Sequence, residues 1–460
     1  MKEAGKLTII QDINNHFKDG NTVYRVEIDG RTANAIMKHG PVKYIHLDIN
    51  HALATKSHRY WTTAQAVERC ARIGSWALGM PFQKAGTLPI GKVAPVACSP
   101  SQAAAWAVLR GQGGGLLTGG PGTGKTWLLQ QIVKSLPEGT FVRGCAPTGK
   151  AASRLEQGMD IPCSTIHRLI GLPDNEHEVE ADVLVIDESS MIDEDVFDIL
   201  IRNINFRKTH VIFAGDRNQL SPVDPGQPFY DLCVNMKDCV ANLDENHRFS
   251  PGIGQLSQNI MVSDKMHGTY ENVFFMHPSH RGQRKAKAAK ELQLNDKLHK
   301  HFGLTDWRKE TIVLCYTNAE CAELNAQHHE DPYPRMMFIK NDYDYSVYNG
   351  QMCSMDGYKV THDDGRVLDI PRRHFNQITQ RAFGITIHKS QGSEWPVVIL
   401  MMPDDAFEIG RDLIYTAMTR AKKGLIVLGR HDAKLVDTKR QTLLDLYLSH
   451  DGNMELPDVI

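Results

Sequence analysis

One eight-residue run constrains this chain more than any other. Gly119-Gly120-Pro121-Gly122-Thr123-Gly124-Lys125-Thr126 fits G-x-x-x-x-G-K-[ST] in full. The apolar run Gly115–Thr118 precedes it and a helical pattern, Thr126–Ser135, follows, so the loop sits between strand and helix as the motif requires. Glycines let the backbone fold into a nest of N–H groups aimed at phosphate oxygens, and the helix N-terminus reinforces it. Lys125 is placed to neutralise the β- and γ-phosphates of ATP, and the Thr126 hydroxyl to complete a Mg²⁺ shell. An ordinary glycine-rich turn would not carry strand, helix, Lys and Thr in register.

A second run completes the chemistry. Val183-Leu184-Val185-Ile186-Asp187-Glu188 is a buried-strand pattern ending in two carboxylates. Asp187 is placed to reach the metal ion and Glu188 to polarise an attacking water. A carboxylate reserved for water implies hydrolysis rather than transfer to a substrate hydroxyl.

Further short β-branched runs recur at Thr140–Cys145, His210–Ala214, Thr311–Tyr316, Val397–Met401 and Leu425–Gly429, with helical patterns such as Ala319–His328 between them. Alternating strand and helix predicts α/β units with parallel, doubly wound sheets and functional loops at the carboxyl ends of the strands. The runs divide near Gly252, giving two units in tandem. A polar, turn-rich stretch, Met336–Ile378, reads as a small antiparallel insertion in the second. Residues 1–97 read as a separate small α+β segment, and the Pro/Gly-rich stretch Leu88–Pro100 as a linker.

Composition limits the remaining classes. With 52 Lys plus Arg against 54 Asp plus Glu, a uniformly basic coat is excluded, but a basic channel between acidic faces is not. No apolar run approaches the roughly 18 residues that span a bilayer, and residues 1–15 lack an apolar signal region, so a cytoplasmic protein is expected. The nine cysteines include no C-x-x-C pair, so free thiols are expected rather than a structural zinc.

Beyond the first two motifs the resemblance to a family becomes a series. Gly215-Asp216-Arg217-Asn218-Gln219-Leu220-Ser221-Pro222-Val223 resembles motif III of superfamily 1 helicases, and Glu245-Asn246-His247-Arg248 resembles motif IV. Thr386-Ile387-His388-Lys389-Ser390-Gln391-Gly392-Ser393-Glu394 resembles motif V, and Tyr415-Thr416-Ala417-Met418-Thr419-Arg420-Ala421 motif VI. Together with Lys340-Asn341-Asp342-Tyr343 and Tyr348-Asn349-Gly350-Gln351, the set is similar to the RecD and phage Dda helicases of subgroup B. The resemblance implies two tandem RecA-like P-loop domains, at 98–250 and 251–460, with an SH3-like barrel at 336–378. It also implies movement 5′ to 3′ on single-stranded DNA and unwinding of forked duplex DNA, in a bacterial or phage-infected cell, in contact with the nucleoid.

Site residues follow from the same resemblance. Gln102 corresponds to the glutamine that reads adenine, a task suited to an amide that donates and accepts at once. Gln219 senses the γ-phosphate; Arg248 and Arg420 meet charge on the transferred phosphoryl group, and Gly392 and Glu394 approach the nucleotide. Pro147, Thr148 and Lys150 resemble motif Ia, and Thr165 and His167 motif Ib. With Asn318, Thr386, His388 and Lys389 they imply sequence-independent phosphate contacts to DNA. The basic run Arg281–Lys290 reads instead as a solvated helix face. The relatives carry a β-hairpin pin between motif Ib and the Asp-Glu pair, where this chain has only the short stretch 170–182, so the pin is expected to be small or missing. Residues 1–97 are open to contacts with replication or recombination proteins. Two other outcomes stay open: a translocase that does not unwind, and a DNA-end-binding subunit of a recombination complex.

Overall fold

The computed structural model describes residues 24–25, 44–49, 58–79, 82, 94–111, 114–172, 177–245, 250–266, 268–277, 285–357, 359–403, 408–430, 432–439 and 442–449. The chain opens with a three-stranded antiparallel sheet, β1 (Tyr24–Arg25), β2 (Tyr44–Ile49) and β3 (His58–Thr63), in order β1-β3-β2, followed by the helix Ala64–Leu78.

The first lobe is built on β4 (Gly114–Gly119), β5 (Val142–Ala146), β6 (Cys163–Thr165), β7 (Val183–Ile186), β8 (His210–Gly215) and β9 (Val240–Leu243). All pair in parallel, in the order β6-β5-β7-β8-β4-β9. Successive side chains alternate between two cores, as a strand's period of two dictates. Leu117, Val183, Val185 and Ile212 join the core under the helices Pro100–Gly111 and Lys125–Lys134. Leu116, Leu184, Ile186 and Phe213 join the opposite core with Phe197, Leu200 and Phe229.

That second core differs from the expected domain plan. Ile73 and Cys70, on the helix Ala64–Leu78, lie inside it, and Trp76 stands edge-on to Phe82, Phe197 and Phe213. Arg72 clamps Asp198 with two hydrogen bonds of 2.9 and 2.8 Å. A boundary at residue 97 would therefore cut through a packed core. The far end of the chain behaves in the same way: Leu444 and Leu448, on the helix Leu443–Ser449, also belong to the first-lobe core. A stretch expected to be part of the second domain returns to the first.

The second lobe carries β10 (Val273–Met276), β11 (Thr311–Cys315), β17 (Gly384–Thr386), β18 (Trp395–Met401) and β20 (Ala421–Leu428), all parallel, in the order β10-β20-β18-β11-β17. Between β11 and β17 the chain builds an antiparallel sheet from β12 (Arg335–Phe338), β13 (Met352–Asp356), β14 (Lys359–His362), β15 (Val367–Leu368) and β16 (Thr379–Arg381). It has its own core of Phe338, Val347, Cys353, Val360 and Phe375. These strands run from Arg335 to Arg381. The sheet's order is β15-β14-β13-β12-β16, and among the described residues β15 and β16 do not pair. Two short parallel strands, β19 (Glu408–Gly410) and β21 (Lys434–Val436), complete the lobe.

Of the basic run, Lys285 and Lys290 direct their ammonium groups at the lobe's own carbonyls, those of Met402 and Gln327. Arg281 and Arg284 lie outside the described residues. Between β6 and β7 no strand occurs among the described residues. None of the described helices is long and apolar enough to cross a membrane.

Candidate nucleotide and DNA site

The parallel sheets bring every loop that follows a strand to one edge, where ligands bind in such folds. Because β8 lies between β4 and β7, the loop after β8 emerges between the glycine-rich loop and the Asp187-Glu188 pair. At the end of β4, Gly122 and Gly124 take φ of +80° and +86°, which lets the loop turn back over the first turn of the helix Lys125–Lys134. A Cβ on Gly124 would run into the amide nitrogen of Gln102. Lys125 Nζ donates to the carbonyls of Gly119 (2.7 Å) and Gly120 (3.1 Å), holding the ammonium across the loop, and Thr123 Oγ1 donates to Gly120 O at 2.8 Å. Gln102 is buried beside the loop. Its Nε2 donates to Thr123 O (3.3 Å), and its Oε1 accepts from the Ser99 N–H (3.1 Å).

At the end of β7 the Asp187 N–H donates to Cys145 O at 2.9 Å, fixing the strand terminus. Glu188 then takes φ +53°, a left-handed conformation that costs a non-glycine residue about 1–2 kcal/mol. Strain of this kind persists where surrounding structure over-determines it, and here it turns the chain sharply between the two carboxylates. Burial pushes the Asp187 carboxyl up, opposed first by a hydrogen bond from the Glu188 backbone N–H and then by Lys125 and Arg154. Burial and then Asp187 push Glu188 up, opposed first by Arg420 and then by Lys125 and Arg154.

Arg420 reaches this point from the second lobe. Only 3% exposed, it donates from Nε to Thr416 O (2.9 Å) and from a terminal nitrogen to the Thr419 hydroxyl (3.1 Å), while the other approaches Ser393 O at 3.4 Å. Burial lowers its pKa; Glu188 and then Glu394 oppose that shift. One cleft is lined by Gly122, Gly124, Lys125, Thr126, Asp187, Glu188 and Gln219 from the first lobe and by Gly392, Glu394 and Arg420 from the second. Gly392 takes φ +68° with its Cα side facing Glu188. Arg248 lies outside the described residues, as do its neighbours Asn246 and His247.

The loop after β8 ties the two lobes together. Gln219 is buried, donates from Nε2 to Asp216 Oδ2 at 3.2 Å, and has no partner for its Oε1 among the described residues. The Tyr415 hydroxyl crosses from the second lobe to donate to the same Asp216 oxygen at 3.1 Å. Motif reading quoted Asp216 and Tyr415 without giving them a role, and it missed Arg154. That arginine lines the cleft, approaches Glu394 at 3.6 Å and donates to Gly392 O at 3.3 Å. Its signal in the sequence was its position four residues beyond Lys150, on the same face of the helix Gly149–Met159.

Several expected residues also have partners within the protein itself. Lys150, expected at DNA, spans the lobes, donating to Gly350 O (2.8 Å) and Ser393 Oγ (2.5 Å); burial lowers its pKa to about 8. The Glu394 carboxylate pairs with Lys422 at 3.1 Å as well as with Arg154. Thr386 is buried, and its hydroxyl accepts from the Lys389 N–H at 3.4 Å. Thr148 and Thr165 cap helix N-termini, accepting from the N–H groups of Ala151 and Arg168. His167, Asn318, His388 and Lys389 are all exposed, each in the helical turn that follows a strand.

Residues 97–273 match the family model of an AAA domain and residues 381–428 that of the UvrD-like helicase C-terminal domain, the first over the β4–β9 sheet and the second over the heart of the other. The RecD subunit of the RecBCD enzyme from Mycolicibacterium smegmatis is 27% identical over 416 residues, 74% of this chain and 73% of that protein. The ATP-dependent RecD2 DNA helicase from Deinococcus radiodurans is 29% identical over 359 residues, 71% of this chain but 48% of that longer protein. Among solved structures, a Bacteroides Pif1 helicase with ADP-AlF3 and single-stranded DNA aligns over 73% of this chain and 93% of its own, at 19% identity and a TM-score of 0.49. The ordered motifs, the cleft they share across two parallel sheets and the similarity over most of the chain support a RecD-like helicase of superfamily 1, subgroup B.

Proposed function

We propose that the chain couples ATP hydrolysis in this cleft to movement along single-stranded DNA, 5′ to 3′, and thereby unwinds forked duplexes. The observation that carries the reading is the composite wall of the cleft: Lys125, Asp187 and Glu188 from one lobe and Arg420 from the other. A site completed only when two bodies meet lets the state of the nucleotide set how those bodies sit, which is the requirement for a motor.

In this reading the loop N–H groups and Lys125 cradle the phosphates of ATP. Gln102 braces the loop from behind, beside the base. The donor set fits Mg²⁺: the Thr126 hydroxyl and Asp187 carboxylate line one wall, two oxygen ligands of the kind that ion takes alongside phosphate and water. When bound, the ion supplies charge that offsets the triphosphate. Glu188 orients the attacking water and accepts its proton; Arg420 opposes the upward push that burial gives the Glu188 carboxyl and meets the charge growing on the transferred phosphoryl group. Gln219, whose Oε1 has no partner among the described residues, lines the same cleft and is free to meet the reacting end. Pro147, Thr148, Thr165 and His167 on one lobe and Asn318, His388 and Lys389 on the other form two grips on the DNA backbone, whose spacing changes as the cleft closes. The inserted sheet takes the place of an SH3-like domain beside the first grip. Its Tyr348 ring packs on Gly149, and Arg168 lies 5.9 Å from the Tyr343 ring centre.

The test is ATP turnover with and without a single-stranded oligonucleotide in the full chain and in Lys125→Ala. Stimulated turnover that the substitution abolishes is expected, and robust turnover in Lys125→Ala would overturn the assignment. Forked duplexes with 5′ or 3′ tails then separate a helicase from a translocase that does not unwind, and fix polarity.

A further inference from the structure

We propose that Lys439 is a positioning residue for Gln219, and that the peptide joining Gln219 to Leu220 is where the second lobe sets the aim of that glutamine. The two edges of this peptide are held by side chains from beyond the first lobe. Its carbonyl, on Gln219, accepts from Lys439 Nζ at 2.6 Å, and its N–H, on Leu220, donates to the Thr416 hydroxyl at 2.9 Å. A peptide is rigid and planar, so bonds at opposite edges fix its rotation about the chain. The Gln219 side chain leaves the Cα at one end of that plane, toward the nucleotide cleft.

The route of the chain gives these bonds their direction. Thr416 lies four residues before Arg420 on the helix Arg411–Met418, and its own carbonyl accepts from Arg420. Lys439 lies three residues past β21, whose pairing with β19 belongs to the second lobe, and the preceding Thr438 hydroxyl donates to Asp412 of that same helix. Beyond it the chain is anchored on the first lobe, where Thr442 Oγ1 donates to Asp231 Oδ2 at 2.6 Å. Lys439 thus stands where the chain crosses between lobes. Its ammonium also reaches Ser221 Oγ at 3.2 Å and sits 5.2 Å from the Tyr230 ring centre. A rotation of the second lobe must pull on both edges of this one peptide, and so must turn Gln219.

The inference rests on the motor reading, and the experiment separates the two. Full-length wild type, Lys439→Met and Lys439→Arg are assayed for ATP turnover with and without saturating oligo-dT, for KM of ATP, and for melting temperature. Lys439→Met is expected to melt like wild type, to hold KM within about twofold, and to lose about tenfold in DNA stimulation, the scale of one charge-assisted hydrogen bond. Lys439→Arg, which keeps a donor, is expected to recover most of that loss. Equal stimulation in wild type and Lys439→Met overturns the positioning role and leaves the motor reading intact; a wild type that DNA does not stimulate overturns the motor reading itself. If Lys439→Met does not fold, Thr416→Val tests the other edge of the peptide, with the same tenfold loss expected and equal stimulation again the refuting result.

Discussion

Replacing Arg420 with alanine separates three consequences that a surface arginine would not produce together. The guanidinium is 3% exposed and reaches three acceptors within its own lobe, at 2.9, 3.1 and 3.4 Å. Two of these are of ordinary hydrogen-bond length and the third is long; at about 0.5–1.5 kcal/mol each, with some return from no longer burying a charge, a stability loss of about 1–3 kcal/mol is expected. The loss in kcat should be far larger, about 10³-fold or more, if the group meets transition-state charge. The pH profile should change as well. Arg420 is the largest influence opposing the upward shift of Glu188, so its removal lets that pKa rise further. A base that must be ionised then works only at higher pH, and the acid limb of kcat moves up. Arg420→Lys retains the charge without the fork, so it should lose rate while keeping the acid limb near wild type. Stopped-flow phosphate release from pH 5.5 to 9, with urea melts alongside, measures all three. An Arg420→Ala enzyme within about threefold of wild-type kcat, or one with an unmoved acid limb, would refute the role given to this residue.

Other consequences follow from the same geometry. Tyr415→Phe removes the hydroxyl that donates to Asp216 and should lower DNA-stimulated turnover several-fold with little change in ATP affinity; a loss confined to affinity would contradict this placement. Gly124→Ala forces a side chain into a φ of +86° and against Gln102, so calorimetry should show ATP affinity falling at least about tenfold. Burial pushes Glu194 up to about 8 and Asp231 to about 7. The native state holds these protons after the unfolded chain has released them, so both contribute stability at acid pH that fades as pH rises, from about 4.5 to about 8 for Glu194 and from about 3.8 to about 7 for Asp231. Glu194→Gln should flatten that decline in urea melts at pH 5, 7 and 9, and an unchanged slope would count against it.

What could be read in the sequence is what short segments decide. The glycine-rich loop, the strand ending at Asp187 and the turn around Asp216 and Gln219 each fit within a dozen residues, and their strands fall within one or two residues of the expected positions. Strands β6, β9 and β10, of three or four residues, gave no comparable signal. The contacts between the lobes lay out of reach for another reason. Tyr415 meets Asp216 from 199 positions away and Lys439 meets Gln219 from 220, and no local pattern distinguishes such a lysine from a solvated one. Lys150 is of the same kind: its bond to Ser393 crosses 243 positions. Residues 1–97 read as an α+β segment of their own, but that Trp76 packs into the core of the next lobe depends on the rings of Phe197 and Phe213, far along the chain.

The central claim is that a nucleotide held between the lobes drives the protein along one DNA strand. A forked duplex with a single 5′ tail, mixed with the full-length chain and Mg-ATP, tests it most directly. Strand separation should occur with ATP, fail with a non-hydrolysable analogue, and fail when the tail is moved to the 3′ end. Separation that proceeds equally without hydrolysis would contradict the account.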